Sequence, residues 1–211
     1  MTISENHTEL QSWGEESATL AVIAVHGRGQ NPNDMRDLAD RIDARGVRYF
    51  APEAPGNSWY PGLFLEPIEN NQPSLDTALA IMEATIDDVR SRGFNDSRIV
   101  LWGFSQGACL LSHLLLTRHP RPAAAVLFTG GHVGAQPLVA LTGDPLADLP
   151  VLMRSISHDP WVPPTRVAET ADLLTAAGAS VDLLIADGDQ HIVTDEATAT
   201  ARALFEQLGA E

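Results

Sequence analysis

The chain alternates between short apolar runs and longer segments whose apolar residues recur every three or four positions. Residues 19–26, TLAVIAVH, form an unbroken apolar run and predict a strand buried on both faces. Residues 33–45 put Met35, Leu38, Ala39 and Ile42 on one helical face, behind a turn and cap at Asn31-Pro32-Asn33-Asp34. A short strand follows at 47–51. A helix over 73–92 opens at Pro73-Ser74 and carries Leu75, Leu79, Met82, Ile86 and Val89 on one face. Strand 98–102 leads into a helix at 106–118 that is apolar nearly all round and therefore central. Strands at 123–129 and 149–155, a helix at 165–177 stopped by Gly178, a strand at 181–185 and a helix at 195–208 complete the series.

Strands alternating with helices imply right-handed crossovers and a parallel sheet. The series gives six parallel strands, and residues 10–18 offer a seventh, antiparallel strand at an edge. The expected architecture is a three-layer α/β/α sandwich in one domain over residues 1–211, with 1–17 either loosely ordered or part of that edge strand. There is no internal repeat, low-complexity tract or linker. Two longer irregular segments, 52–72 and 130–148, leave the carboxyl ends of strands, where open α/β sheets bind ligands.

Composition narrows the classes of function. A chain of 211 residues with 44% hydrophobic and 19% charged residues suits one soluble α/β domain. The net charge is −15, and all 13 basic residues are arginine. So acidic a balance argues against nucleic acid or an anionic membrane as the main partner. The first residues lack a basic-then-apolar signal pattern and the longest apolar stretches fall short of a membrane span, so a cytoplasmic protein without membrane insertion is expected. The single cysteine forbids an internal disulfide, and Cys109, in an apolar run, reads as a buried small hydrophobe. Neither metal-site spacing nor a nucleotide-binding glycine motif is present, so neither metal nor cofactor is expected.

The chemistry concentrates at Gly103-Phe104-Ser105-Gln106-Gly107, which fits G-x-S-x-G between a strand and a helix. In that context the serine occupies a strained elbow with its hydroxyl exposed at a helix N-terminus. The bland alternative is a structural turn. A nucleophilic serine needs a base, and the base needs an orienter. Asp159 follows the 149–155 strand in a turn held by prolines, and His191 follows the last strand; both stand where the order Ser, Asp, His requires them. Asp144 and Asp148 precede their strand, and Asp187 and Asp189 lie too close to His191 in the chain to support its ring. Backbone N–H groups of Gln106 and of Arg28, in the loop after the first strand, are the candidate oxyanion donors. The Arg28 side chain meets either acidic substrate groups or solvent, and His26 braces its loop. Trp59, Tyr60, Leu63, Phe64 and Trp161 are candidates for an apolar pocket wall, against the alternative that the loop packs its own aromatics. His132 is a further candidate for the pocket.

Four segments carry a resemblance: VHGRG (25–29), GFSQGACL (103–110), DPWVP (159–163) and GDQH (188–191). The chain resembles the α/β-hydrolase superfamily, and more narrowly the phospholipase/carboxylesterase family that includes the acyl-protein thioesterases, over about residues 20–208. The resemblance implies hydrolysis of carboxylic esters or thioesters without cofactor. It carries Ser105 over as nucleophile, Asp159 as orienter and His191 as base, with Arg28 and Gln106 as oxyanion amides. Two positions depart from the family pattern: Gln190 stands where glycine or proline usually precedes the histidine, and Trp161 where a smaller residue is common. The related dienelactone hydrolases use a cysteine nucleophile, which Ser105 argues against. The expected activity is a serine carboxylesterase acting on small short- to medium-chain esters, with thioesters and lysophospholipids within its range. A serine peptidase or amidase of the same fold, or a binding protein on a hydrolase scaffold, are the alternatives. The chain is too short for a large cap domain, so an open cleft is expected, and apolar helices at the sheet edges suit a homodimer.

Overall fold

The computed structural model describes residues 10–136, 138 and 142–210. The part of the expected N-terminal segment at 1–9 lies outside them, as do positions 137 and 139–141 of the second irregular segment.

Seven strands form one sheet: β1 (Gln11–Gly14), β2 (Leu20–Val25), β3 (Val47–Ala51), β4 (Ile99–Phe104), β5 (Ala124–Phe128), β6 (Pro150–Ile156) and β7 (Ser180–Ala186). Their spatial order is β1-β3-β2-β4-β5-β6-β7. Only β1 runs antiparallel, pairing Gln11 with Ala51 and Gly14 with Arg48; the other pairings are parallel. The chain steps from β2 to β3 on one side and from β4 to β5 on the other, so the sheet order reverses between β2 and β4. Loops leaving neighbouring carboxyl ends diverge at such a point and open a crevice.

Five helices cover the faces: α1 (Pro32–Ile42), α2 (Ser74–Ser91), α3 (Gln106–Arg118), α4 (Pro164–Ala176) and α5 (Asp195–Ala210). Strand alternation sorts the core into two layers. Ala21, Ile23, Val25, Leu101 and Leu127 pack against α2, α3 and α4, whereas Val22, Ala24, Trp102, Val126 and Phe128 pack against α1 and α5. Both faces of β2 are fully buried, which is why residues 20–25 read as a continuous apolar run. Trp102 anchors the second layer, with edge contacts to Tyr49, Phe128 and Phe205 at ring separations of 6.2 to 6.4 Å.

Helix α1 starts through a reciprocal cap. The Asn31 side chain accepts the Asn33 N–H at 2.9 Å, the Asp34 carboxylate accepts the Asn31 N–H at 2.8 Å, and Pro32 occupies the first turn. Helix α3 is buried around almost its whole circumference, in keeping with its uniformly apolar sequence. Among the described residues no helix is long and apolar enough to cross a membrane.

Candidate active site

Ser105 sits between the end of β4 and the first residue of α3 with φ 53° and ψ −119°, a region that costs a side chain conformational strain. The flanking glycines permit the tight turn. A Cβ on Gly103 would lie 2.7 Å from the Ala108 nitrogen, and one on Gly107 would run into the Val25 and His26 carbonyl oxygens. The first turn of α3 is thereby pressed against the end of β2, which sets Ser105 beside the His26–Gln30 loop at the point where the sheet order reverses.

The loops after β6 and β7 bring Asp159 to His191. Asp159 Oδ2 accepts from His191 Nδ1 at 2.7 Å, and Asp159 Oδ1 accepts from the Trp161 and Val162 amides at 2.8 and 2.9 Å. The Asp159 side chain is completely shielded from solvent. Because a carboxylate only accepts, the hydrogen on Nδ1 is fixed and a neutral His191 keeps its lone pair on Nε2. The His191 ring also rests on Phe104, with 5.1 Å between ring centroids. Asp187, the rival acid of this loop, bonds the Ser157 hydroxyl at 3.2 Å instead. Asp148 stands before β6, at the opposite end of that strand.

The backbone amides of Arg28 and Gln106, both near Ser105, make no hydrogen bond among the described residues, and neither do those of Gly107 and Ala108 in the same helical turn. The Gln106 amide belongs to the first turn of α3, where helical N–H groups have no intrahelical partner. His26 holds the loop before Arg28 in place. Its Nδ1 donates to the Gly27 carbonyl at 2.7 Å and its Nε2 accepts the Ala54 amide at 3.1 Å, while burial lowers its pKa.

Ser105 and His191 line one cavity of 590 Å³, without a direct hydrogen bond between them. Tyr60, Leu63, Phe64 and Trp161, all expected as wall residues, line it too, together with Arg28 and Gln106. Two expected wall residues stand elsewhere. Trp59 is 2% exposed, donates its indole N–H to the His26 carbonyl at 2.8 Å and borders a separate 200 Å³ cavity against α2. His132 is fully buried against α4, where its backbone N–H and Nδ1 both reach the Thr170 hydroxyl, at 3.0 and 3.1 Å. The exposed Arg28 side chain is bonded to the loop after β3. Its guanidinium donates to the Pro61 and Gly62 carbonyls and lies 5.8 Å from the centre of the Tyr60 ring.

Leu65, Cys109, Pro160, Val162 and Pro163 also line the cavity and were not among the sequence candidates. Cys109 lies in the first turns of α3, whose N-terminus carries Ser105, and its backbone N–H bonds the Ser105 carbonyl at 2.9 Å. Burial pushes its thiol up to about 11, which leaves it a wall group rather than a rival nucleophile at neutral pH. Among the described residues no cluster of acids, histidines and cysteine could hold a metal ion.

A doubly covered, mainly parallel sheet with a serine elbow after β4 and an acid–histidine pair after β6 and β7 defines an α/β-hydrolase. The family profile described as Phospholipase/Carboxylesterase matches residues 6–205, and the chain belongs to that family. A phospholipase/carboxylesterase from Dyadobacter fermentans superposes with a TM-score of 0.87 at 29% identity, over 94% of this chain and 96% of that one. Acyl-protein thioesterase 1 of Cryptococcus neoformans is 26% identical over 166 residues, 70% of this chain and 69% of that relative. Lysophospholipase-like protein 1 of Mus musculus is 25% identical over 134 residues, and this match spans only 55% of the mouse protein. Membership of the family supports ester hydrolysis as the class of chemistry.

Proposed function

We propose that the protein is a serine carboxylesterase that cleaves short- to medium-chain carboxylic esters through an acyl-enzyme. The observation that carries this reading is the shared cavity: Ser105, on a strained elbow, and His191, bonded to Asp159 at 2.7 Å, line the same 590 Å³ space. Nε2 of His191 takes the Ser105 proton as Oγ bonds to the ester carbonyl carbon, and the carbonyl electron pair moves onto oxygen. The Arg28 and Gln106 amides hold that oxyanion, being without partners of their own. The intermediate collapses, the bond to the leaving oxygen breaks, and the alcohol departs with the proton from His191. Water then repeats the sequence on the acyl-enzyme and releases the acid. Asp159 keeps the imidazole in the required tautomer and offsets its charge when protonated.

The same steps serve a thioester, with a thiol leaving in place of the alcohol, and the acyl-protein thioesterase relatives make thioesters the first alternative substrate to try. The test is steady-state turnover of p-nitrophenyl esters from acetate to octanoate beside an acyl-thioester and an aminoacyl-amide. Ester turnover with burst release of p-nitrophenol supports the reading. Amide cleavage without ester cleavage would transfer it to the peptidases, and turnover of neither overturns it.

A further inference from the structure

The two residues whose amides point to the oxyanion role also hold the cavity wall with their side chains. Gln106, 5% exposed, commits both ends of its carboxamide to one loop: Oε1 accepts the Trp59 amide at 3.0 Å and Nε2 donates to the Tyr60 carbonyl at 2.8 Å. Arg28 donates to the next two carbonyls, Pro61 at 2.7 Å and Gly62. The neighbouring Gly29 amide adds a bond to the Asn57 carbonyl at 2.7 Å. The loop they hold supplies Tyr60, Leu63 and Phe64 to the cavity.

We infer that Gln106 and Arg28 are positioning residues that join the acyl wall to the oxyanion amides, so that the enzyme reads acyl-chain length in kcat. The inference rests on the serine-esterase reading above. A side chain and the N–H of the same residue share one Cα, so a load on the carboxamide or guanidinium is felt at the amide. On the other side the backbone of Gly107 packs directly against the Val25 and His26 carbonyls, with no space for even a Cβ between them. A chain that fills the space against Tyr60, Leu63 and Phe64 presses on the loop and through it sets the two amides. Aligned oxyanion donors act on the transition state rather than on binding, so the effect falls on kcat.

The experiment measures kcat and KM separately for p-nitrophenyl acetate, butyrate and hexanoate. The parent is compared with Gln106→Met, which keeps the length and loses both loop bonds, and with Arg28→Lys and Arg28→Ala. In the parent, kcat rises with chain length. In Gln106→Met and Arg28→Ala the ratio of hexanoate to acetate kcat falls about tenfold, the effect of losing one or two hydrogen bonds. KM still falls with chain length in these variants, because the apolar wall remains. Arg28→Lys, able to reach one carbonyl, lies between parent and Arg28→Ala. A loss of equal factor for every ester, or one confined to KM, would show plain structural support and overturn the inference. A parent that turns over no ester overturns the esterase reading itself. An active parent whose kcat profile survives in all variants overturns only the coupling. If Gln106→Met does not fold, the exposed Arg28 variants decide between these outcomes.

Discussion

Asp159 holds His191 at 2.7 Å with one carboxylate oxygen and is itself held by two backbone amides, of Trp161 and Val162, on the other. The turn that presents the acid therefore also fixes its rotamer. On the proposed mechanism Asp159→Asn keeps the amide contacts, since the Asn oxygen accepts them equally, but offers an N–H to Nδ1 and favours the wrong tautomer. The expected cost is on the order of 10²–10⁴ in kcat with little change in thermal midpoint. Asp187→Asn and Asp189→Asn should each lose far less. If Asp187→Asn were the damaging substitution, the orienter would have to be reassigned.

Ser105→Ala should lower kcat on p-nitrophenyl esters by at least about 10³-fold. Alanine at φ 53° carries the same backbone strain as serine, so the fold and stability should be retained. Active-site titration with a fluorophosphonate should label Ser105 and no other residue. A loss below tenfold in a clean preparation would remove this serine from the nucleophile role.

Two buried histidines set an acid limit. His113 and His132 are 4% and 0% exposed, and burial pushes both down from 6.5 to about 4. Arg118 faces His113 and Arg166 faces His132, which lowers them further; Asp76 and Glu169 oppose this, and the two histidines repel each other. In the unfolded chain both take up protons near pH 6.5, and in the folded state only near pH 4. The unfolded state thus binds more protons between these values, and stability falls as the pH drops through that window. The loss is on the order of 3 kcal/mol per histidine when complete. Urea denaturation at pH 7, 5.5 and 4.5 should show it, and His132→Gln should flatten the slope. Stability that stays level across this range would contradict the assignment.

Trp59→Ala should act on stability rather than on substrate choice. The side chain is buried against His26, with 5.0 Å between ring centroids, and its indole N–H has a partner. Removing it leaves a cavity and an unpaired carbonyl, for an expected loss of about 3–5 kcal/mol. Thermal denaturation is the measurement. A variant with a parental midpoint would show that the loop can close over the gap.

What could be read from the sequence follows the reach of periodicity. The strand and helix alternation predicts the six parallel strands and five helices, and an antiparallel edge strand within 10–18, found at Gln11–Gly14. Strand β4 runs two residues further than its apolar pattern suggests, because Gly103 and Phe104 belong to the elbow and still pair with Leu127 and Phe128. The elbow serine and the acid–histidine pair were legible because each follows a strand end, a position topology fixes. Trp59 and His132 were not, since an irregular loop has no period to say which side faces inward. The Arg28 and Gln106 side-chain bonds to backbone carbonyls and an amide were invisible for the same reason: their partners are main-chain atoms, which leave no mark on residue identity.

The last prediction concerns acyl-chain preference. Tyr60, Leu63, Phe64 and Leu65 enter the cavity from the loop after β3, and Trp161 and Val162 from the turn that holds Asp159. Leu63 and Trp161 are 57% and 67% exposed, so they form the rim, while Tyr60 and Phe64 are buried and form the wall. Each substrate methylene taken from water onto such a surface contributes about 0.8 kcal/mol. On the proposed reading kcat/KM should therefore rise roughly fourfold per added carbon until the wall is covered. Among the described residues no helix or strand between β5 and β6 stands over the cleft to deepen it, so the rise should end at about four to eight carbons and then reverse. Phe64→Ala should flatten the rise throughout, whereas Trp161→Ala should affect only the longer chains that reach the rim. Acetate turnover should stay within a few-fold of the parent in both. The measurement is kcat/KM across the p-nitrophenyl series for the parent and the two variants. A parent optimum near sixteen carbons, or unchanged profiles in both variants, would show that the acyl chain leaves the serine by another route.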